Sequence, residues 1–131
     1  KNFSSWAFEG PNAQIRPDVK LLLVNMYNVG KPIVALCVSP VLLALAFEDM
    51  SIGQQLTIGS TNAPSPYHIS DFQEGLQAKG AQTPDCTIQE ICIDAPNRII
   101  TAPCYMLEAS LPALQQNIRQ AMAALKQLLE S

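Results

Sequence analysis

One stretch restricts the fold more than any other: Lys31 to Phe47, KPIVALCVSPVLLALAF. A short β-branched apolar run ends at Cys37, and a helix-compatible apolar run starts almost at once. Pro40 suits the first turn of a helix, where its missing N–H costs nothing. Val41 to Phe47 is apolar on every face, which describes a buried helix. Cys37 is therefore predicted at a tight strand-to-helix turn. Such a turn lifts a side chain out of the sheet toward free backbone N–H groups and the positive end of a helix dipole. A thiol placed there is expected to have its pKa lowered from ~8.5 and to be partly thiolate near neutrality. The competing reading is a buried structural cysteine, among the commonest core residues. The local sequence does not separate the two.

The chain has 131 residues, enough for one domain and too few for two. With 48% hydrophobic and 15% charged residues, intrinsic disorder is excluded. The net charge of -3 comes without a block of like charges, so nothing invites nucleic acid or an anionic membrane. The longest apolar run, Ile33 to Phe47, is shorter than a bilayer requires and contains Ser39 and Pro40. No transmembrane span and no secretory signal are expected. The first residue is Lys1 rather than Met, which reads as a processed product or a fragment. Four cysteines (Cys37, Cys86, Cys92 and Cys104) lack disulfide-scaffold spacing, form no C-x-x-C pair and stand beside a single histidine. They read as free thiols in a reducing, intracellular compartment, with neither a metal nor a cofactor.

Along the chain, Phe3, Trp6 and Phe8 offer apolar anchors before a turn at Gly10-Pro11-Asn12. A helix is predicted from Pro17, with Val19, Leu22, Leu23 and Met26 as one apolar stripe and Gly30 as its stop. After the central stretch, Gln54–Ile58 reads as a strand and 61–69 as a loop holding Pro64 and Pro66. Ser70 with Gln73 has a capping-box pattern for the next helix, which Gly80 closes. Thr87–Asp94 alternates, with Ile91 and Ile93 opposite Glu90, Cys92 and Asp94, the two acids reading as a solvated face. Arg98–Thr101 returns as a second strand. The last helix has Ser110 as N-cap and Leu111, Leu114, Ile118, Met122, Leu125 and Leu129 as its stripe.

This order argues for a largely parallel sheet covered by helices on both faces. Only the strands near Ile33 and Leu56 read as interior parallel ones, so a sheet this small leaves a long edge bare. Each Leu or Ile left facing water forfeits roughly 1.5–3 kcal/mol, against a total stability of about 5–15 kcal/mol. Other residues are therefore expected to cover that edge, either a missing N-terminal half or another protein chain.

The segment from Lys31-Pro32 through Cys37-Val-Ser-Pro40 resembles the ElbB-type branch of the superfamily of class I glutamine amidotransferases, PfpI-like peptidases and deglycase/glyoxalase proteins. Leu56-Thr-Ile-Gly59, Gln77-Ala-Lys-Gly80-Ala81 and Asp94 to Met106 resemble further family segments in the same order, and Lys1-Asn-Phe-Ser4 is similar to the segment after the family's glycine-rich loop. The likeness covers essentially all of the chain. It implies an α/β, flavodoxin-like three-layer sandwich with a mostly parallel sheet, lacking its N-terminal strands in this chain. Residues 1–131 would then be the C-terminal part of an amidotransferase-like domain, with Cys37 at the nucleophile elbow.

Thiol catalysis needs an oxyanion donor pair and an oriented base. Cys37 with the N–H groups of Val38 and Ser39 is the candidate nucleophile and donor set. The base is the weak point. Gly59 stands where deglycase relatives carry a histidine, and Pro103-Cys104-Tyr105 stands where amidotransferases carry His and Glu, so glutamine hydrolysis by that triad is not expected. His68 is the candidate stand-in base, against a plain exposed loop histidine. Gly59, Cys104 and Tyr105 are candidate site-lining residues, and Cys37 with Cys104 a candidate redox pair, by analogy. Tyr105 and Met106 also read as core, and Trp6 as a packing anchor. Two functions follow: a cofactor-free thiol enzyme acting on a small reactive carbonyl in the intact parent, or a non-catalytic subunit of a larger assembly. Cytoplasm, mitochondrial matrix or plastid would suit either.

Overall fold

A computed structural model describes residues 3–131; the Lys1-Asn2 part of the family likeness lies outside the described residues. The elements in chain order are α1 (Trp6–Glu9), α2 (Pro17–Asn28), β1 (Ile33–Leu36), α3 (Pro40–Ala46), α4 (Ile69–Ala78), β2 (Cys92–Asp94), β3 (Ile99–Ala102) and α5 (Leu111–Glu130). The strands form one sheet in the order β1-β3-β2. β1 runs parallel to β3 with Ile33 opposite Ile99 and Leu36 opposite Ala102, and β2 runs antiparallel to β3.

The two-residue period of the strands divides the core into two halves. Ile33, Ala35 and Ile99 face the half that contains α3, and Val34, Leu36, Ile100 and Ala102 face the half built on α5. The result is three layers, helices on both sides of a mixed sheet. α3 is buried along nearly its whole length, as its uniformly apolar sequence predicts. Leu43, Leu45 and the following Phe47 are at most 2% exposed, each contributing roughly 1.5–3 kcal/mol by leaving water. Gly30 and Gly80 follow α2 and α4 at φ +76° and +91°, conformations open to glycine and the reason those helices stop there.

Five expectations are corrected. Gln54–Ile58 is extended and buried but forms no ladder, only a bridge between Gln55 and Gln82. Two of its N–H groups are taken by side chains, Gln55 N–H donating to Asp94 Oδ2 at 2.8 Å and Thr57 N–H to Thr101 Oγ1 at 2.9 Å, while Leu56 N–H donates to Gln82 O. The second parallel strand is instead β3, and β1 is an edge. β2 is shorter and faces the other way: Cys92 and Asp94 point inward, while Ile93 is 46% exposed. A carboxylate stays inside because it is saturated with donors, from Gln55 and from the Asn97 N–H and side-chain amide.

α4 starts at Ile69 with no side-chain cap, and Gln73 donates to Asp85 instead of capping. On α5, Ser110 Oγ does accept the Ala113 N–H, but the buried face is Leu114, Asn117, Ala121 and Ala124. Leu111, Met122 and Leu129 of the apolar stripe are exposed, because the helix sits down on its small and hydrogen-bonded residues. In the N-terminal region and α2 only part of the anchoring holds: Trp6 is buried, whereas Phe3, Phe8 and Leu22 face solvent.

Asp94 joins the extended segment to the β2–β3 turn, so its removal is a sharp test of that joint. Asp94→Ala strands the Gln55 N–H and the Asn97 amide and is expected to cost about 2–3 kcal/mol. Urea unfolding followed by circular dichroism should show the midpoint fall with an unchanged slope; an unchanged midpoint would refute the role.

Candidate functional site

Cys37 follows β1 directly, at φ +62°, a left-handed conformation that a residue with a Cβ rarely adopts. Holding it there costs roughly 1–2 kcal/mol. The turn is fixed from both sides. Cys37 N–H donates to Ala102 O at 3.0 Å, extending the β1–β3 pairing by one bond. Leu36 O accepts both the Ser39 N–H at 3.1 Å and the Ser39 hydroxyl at 2.6 Å, which swings the chain into Pro40 and α3. Ser39 is thereby corrected as an oxyanion donor, its N–H being spent inside the turn. Among the described residues Val38 N–H has no acceptor, and Val38 itself is exposed.

The half-buried Cys37 opens onto a cavity of about 490 Å³. Ser4, Trp6 and Ala7 wall one side, and Val41 and Leu42 of α3 the floor. Tyr67 and Phe72 close it with an edge-to-face pair, ring centroids 6.5 Å apart, and Met106 completes it. Among the described residues no Asp, Glu, Lys, Arg or His lines the cavity. Of these walls the sequence singled out Trp6 as a packing anchor, Met106 as core and Val41 and Leu42 as part of a buried helix; the aromatic pair had no local signal beyond its place around the start of α4.

The Pro-rich loop reaches the site, tied down by Ser65 donating to Met106 O and by Glu108 N–H donating to Pro64 O. Tyr67 faces the Cys37 cavity, but the exposed His68 lines a separate hollow of about 210 Å³ with Ser60, Thr61 and Ser70. The structure does not bring His68 to the thiol. Gly59 is buried at φ +130°, and a Cβ there would stand 3.1 Å from Leu107 Cδ2 and 3.3 Å from Ile69 Cδ1. Those two side chains fill the space a histidine would need. Tyr105 is 57% exposed and does not line the cavity, while Met106 is buried.

Cys104 is not among the residues that line the cavity, but its turn stands beside Cys37. It sits in a 3₁₀ turn, Cys104–Met106, itself at φ +48°, with its N–H donated to Asn117 Oδ1 at 2.9 Å. Its thiol lies near the Cys37 backbone, and Cys37 packs against the buried cluster to which Cys104 belongs. Burial pushes the Cys104 thiol up, an effect that the Cys37 N–H partly offsets. Burial also raises Cys86 and pushes Cys92 up to about 11.

No family model matches the chain. It is 28% identical over 121 residues to the human glutamine amidotransferase-like class 1 domain-containing protein 3, mitochondrial, covering 90% of this chain and 43% of that protein. It is likewise 28% identical over 133 residues to the rat ES1 protein homolog, mitochondrial, covering 99% and 47%. Its fold matches the crystal structure of an isoprenoid biosynthesis protein with amidotransferase-like domain from Ehrlichia chaffeensis, with TM-score 0.78, 28% identity and coverage of 98% and 54%. The chain is similar to amidotransferase-like proteins over nearly all of its own length. The three layers described above are therefore an amidotransferase-like, flavodoxin-like arrangement, and the chain spans about half the length of the relatives it matches.

The four thiols of this amidotransferase-like chain are all free, and differ sharply in access. Iodoacetamide at about pH 7.5 is expected to modify Cys37 alone in the native protein, since the thiolate is the attacking species and the other three are buried. Peptide mapping after timed quenching measures it; equal labelling of Cys86 or Cys92 would contradict the geometry.

Proposed function

We propose that Cys37 is the nucleophile of a cofactor-free thiol chemistry on small, uncharged, reactive carbonyls in the glyoxalase/deglycase manner. The observation that carries this reading is the left-handed Cys37 turn opening onto a largely apolar cavity whose lining, among the described residues, is uncharged. An amino-acid substrate such as glutamine, with two charges to match, finds no partner there; a 2-oxoaldehyde does not need one. Sγ adds to the aldehyde carbon, a C–S bond forms, and the carbonyl electron pair moves to oxygen. The Val38 N–H is the donor available to that oxygen, and water supplies the proton that completes the hemithioacetal. Turning the adduct over needs an acid–base group, which in this reading comes from the part of the fold that the relatives carry beyond the span of this chain. Both curated relatives are mitochondrial by name, which supports the reducing matrix as the working compartment. Among the described residues no helix is long and apolar enough to cross a membrane.

Methylglyoxal at millimolar concentration is expected to mask the Cys37 thiol reversibly, seen as a hemithioacetal adduct by intact mass. Cys37→Ser should show none. A wild-type protein that takes iodoacetamide at Cys37 yet forms no carbonyl adduct would sink this chemistry.

A second reading, a non-catalytic subunit, is favoured by two specific observations. The base candidates stand elsewhere, and large apolar side chains face water on α5, with Leu111, Met122 and Leu129 at 60%, 42% and 63% exposure. Next to them β1 is a sheet edge. In this reading the remaining portion of the fold, in the same protein or on a partner chain, covers that edge. Native mass spectrometry of the protein from its source is expected to show a longer polypeptide or a stable complex; a free monomer of 14.2 kDa would exclude the assembly role.

A further inference from the structure

Among the described residues two of the four non-glycine residues with positive φ are cysteines, and they are neighbours: Cys37 at +62° and Cys104 at +48°. The arrangement follows from the sheet. Leu36 is paired with Ala102, Cys37 N–H continues the ladder to Ala102 O, and the chain beyond Ala102 turns at once through Pro103 into Cys104. Each sulfur belongs to a backbone that its own hydrogen bonds immobilise, Cys37 through Leu36 and Ala102, Cys104 through Asn117. One thiol is half-buried at a cavity mouth and the other, near Cys37, is 2% exposed. That is the layout of an attacking thiol with a resolving thiol held out of solvent. Cys86 and Cys92 do not share it: both are buried, and the Cys92 thiol donates to Gln55 O at 3.7 Å.

We propose that Cys37 and Cys104 form a peroxide-responsive dithiol, in which Cys104 captures oxidised Cys37 as a reversible disulfide. The Cys37 thiolate attacks one oxygen of hydrogen peroxide, the O–O bond breaks, hydroxide leaves, and the sulfur becomes a sulfenic acid, oxidised by two electrons. Cys104 sulfur then attacks Cys37 sulfur. The S–O bond breaks, the S–S bond forms, and the departing hydroxide takes the Cys104 proton as water. A small dithiol reductant restores both thiols by exchange. The disulfide protects Cys37 from the irreversible sulfinic state and removes the nucleophile while oxidant lasts. The exchange depends on the nucleophile reading in one respect only, that Cys37 Sγ is reachable; it needs no carbonyl chemistry.

Reduced full-length chain, freed of reductant, is treated with a slight excess of hydrogen peroxide and mapped without reduction. The expected product has lost two hydrogens, joins the Cys37 and Cys104 peptides, and returns to the starting mass with dithiothreitol. In Cys104→Ala the product stops at a Cys37 sulfenic acid that dimedone captures, and then advances to sulfinic acid. A wild type whose Cys37 goes straight to sulfinic acid with Cys104 untouched overturns the pairing, as does a crosslink to Cys86 or Cys92. Should Cys104→Ala fail to give the native circular dichroism spectrum, the wild-type map decides alone. Parallel iodoacetamide labelling separates the two ideas: Cys37 that alkylates but does not crosslink defeats only the dithiol, and Cys37 that does neither defeats the nucleophile as well.

Discussion

The parallel pairing of β1 with β3 is the constraint on which everything else rests. Its register, Ile33 opposite Ile99 through Leu36 opposite Ala102, brings the ends of both strands to the same level. At that level the chain leaves the sheet twice, once through Cys37 into α3 and once through Pro103 into the Cys104 turn. Both exits are left-handed, and both are stabilised by hydrogen bonds that a shifted register would break. Sliding one strand by a residue would also exchange the two faces, sending Val34 and Leu36 toward α3 and Ile33 and Ala35 toward α5. The site is a product of sheet geometry before it is a product of any side chain.

Electrostatics plays a smaller part than enclosure. Among the described residues no charged group lines the Cys37 cavity, and ion pairs such as Arg16–Asp18 and Lys126–Glu130 lie on the surface. Pairs of that kind are worth about 0–1 kcal/mol. The buried polar groups are where specificity lies. Asp94, Thr101 and Asn117 each meet the backbone of a segment distant in sequence, and together they place the extended 54–60 stretch and the Cys104 turn.

The same three residues mark where the sequence could and could not be read. Lys31 to Phe47 was legible because each local signal agrees: β-branched residues, then a turn, then Pro40 and an unbroken apolar run. Helix ends at Gly30 and Gly80 and the Ser110 cap were legible for the same reason. The 54–58 strand was misread because Asp94 and Thr101 supply acceptors that mimic a ladder partner, a tertiary fact with no local trace. The inward face of β2 was misread because three residues are too few for a period to show, and because Asp94 is polar yet fully partnered. Leu111, Met122 and Leu129 of the α5 stripe point outward because Asn117, the least helix-like residue on the inner face, is one that the core requires. His68 was placed on the right loop and the wrong side of it, a one-residue distinction that Tyr67 wins by pairing with Phe72.

Asn117 carries one more implication. Its oxygen holds the Cys104 N–H at 2.9 Å, and its nitrogen donates to Glu90 O at 2.9 Å. A single amide thus rivets a helix to two loops that are 13 and 27 residues away along the chain. Any rotation of α5 about its axis must drag the Cys104 turn with it. Whatever grips the outer side of that helix therefore has a lever on the thiol at the other end.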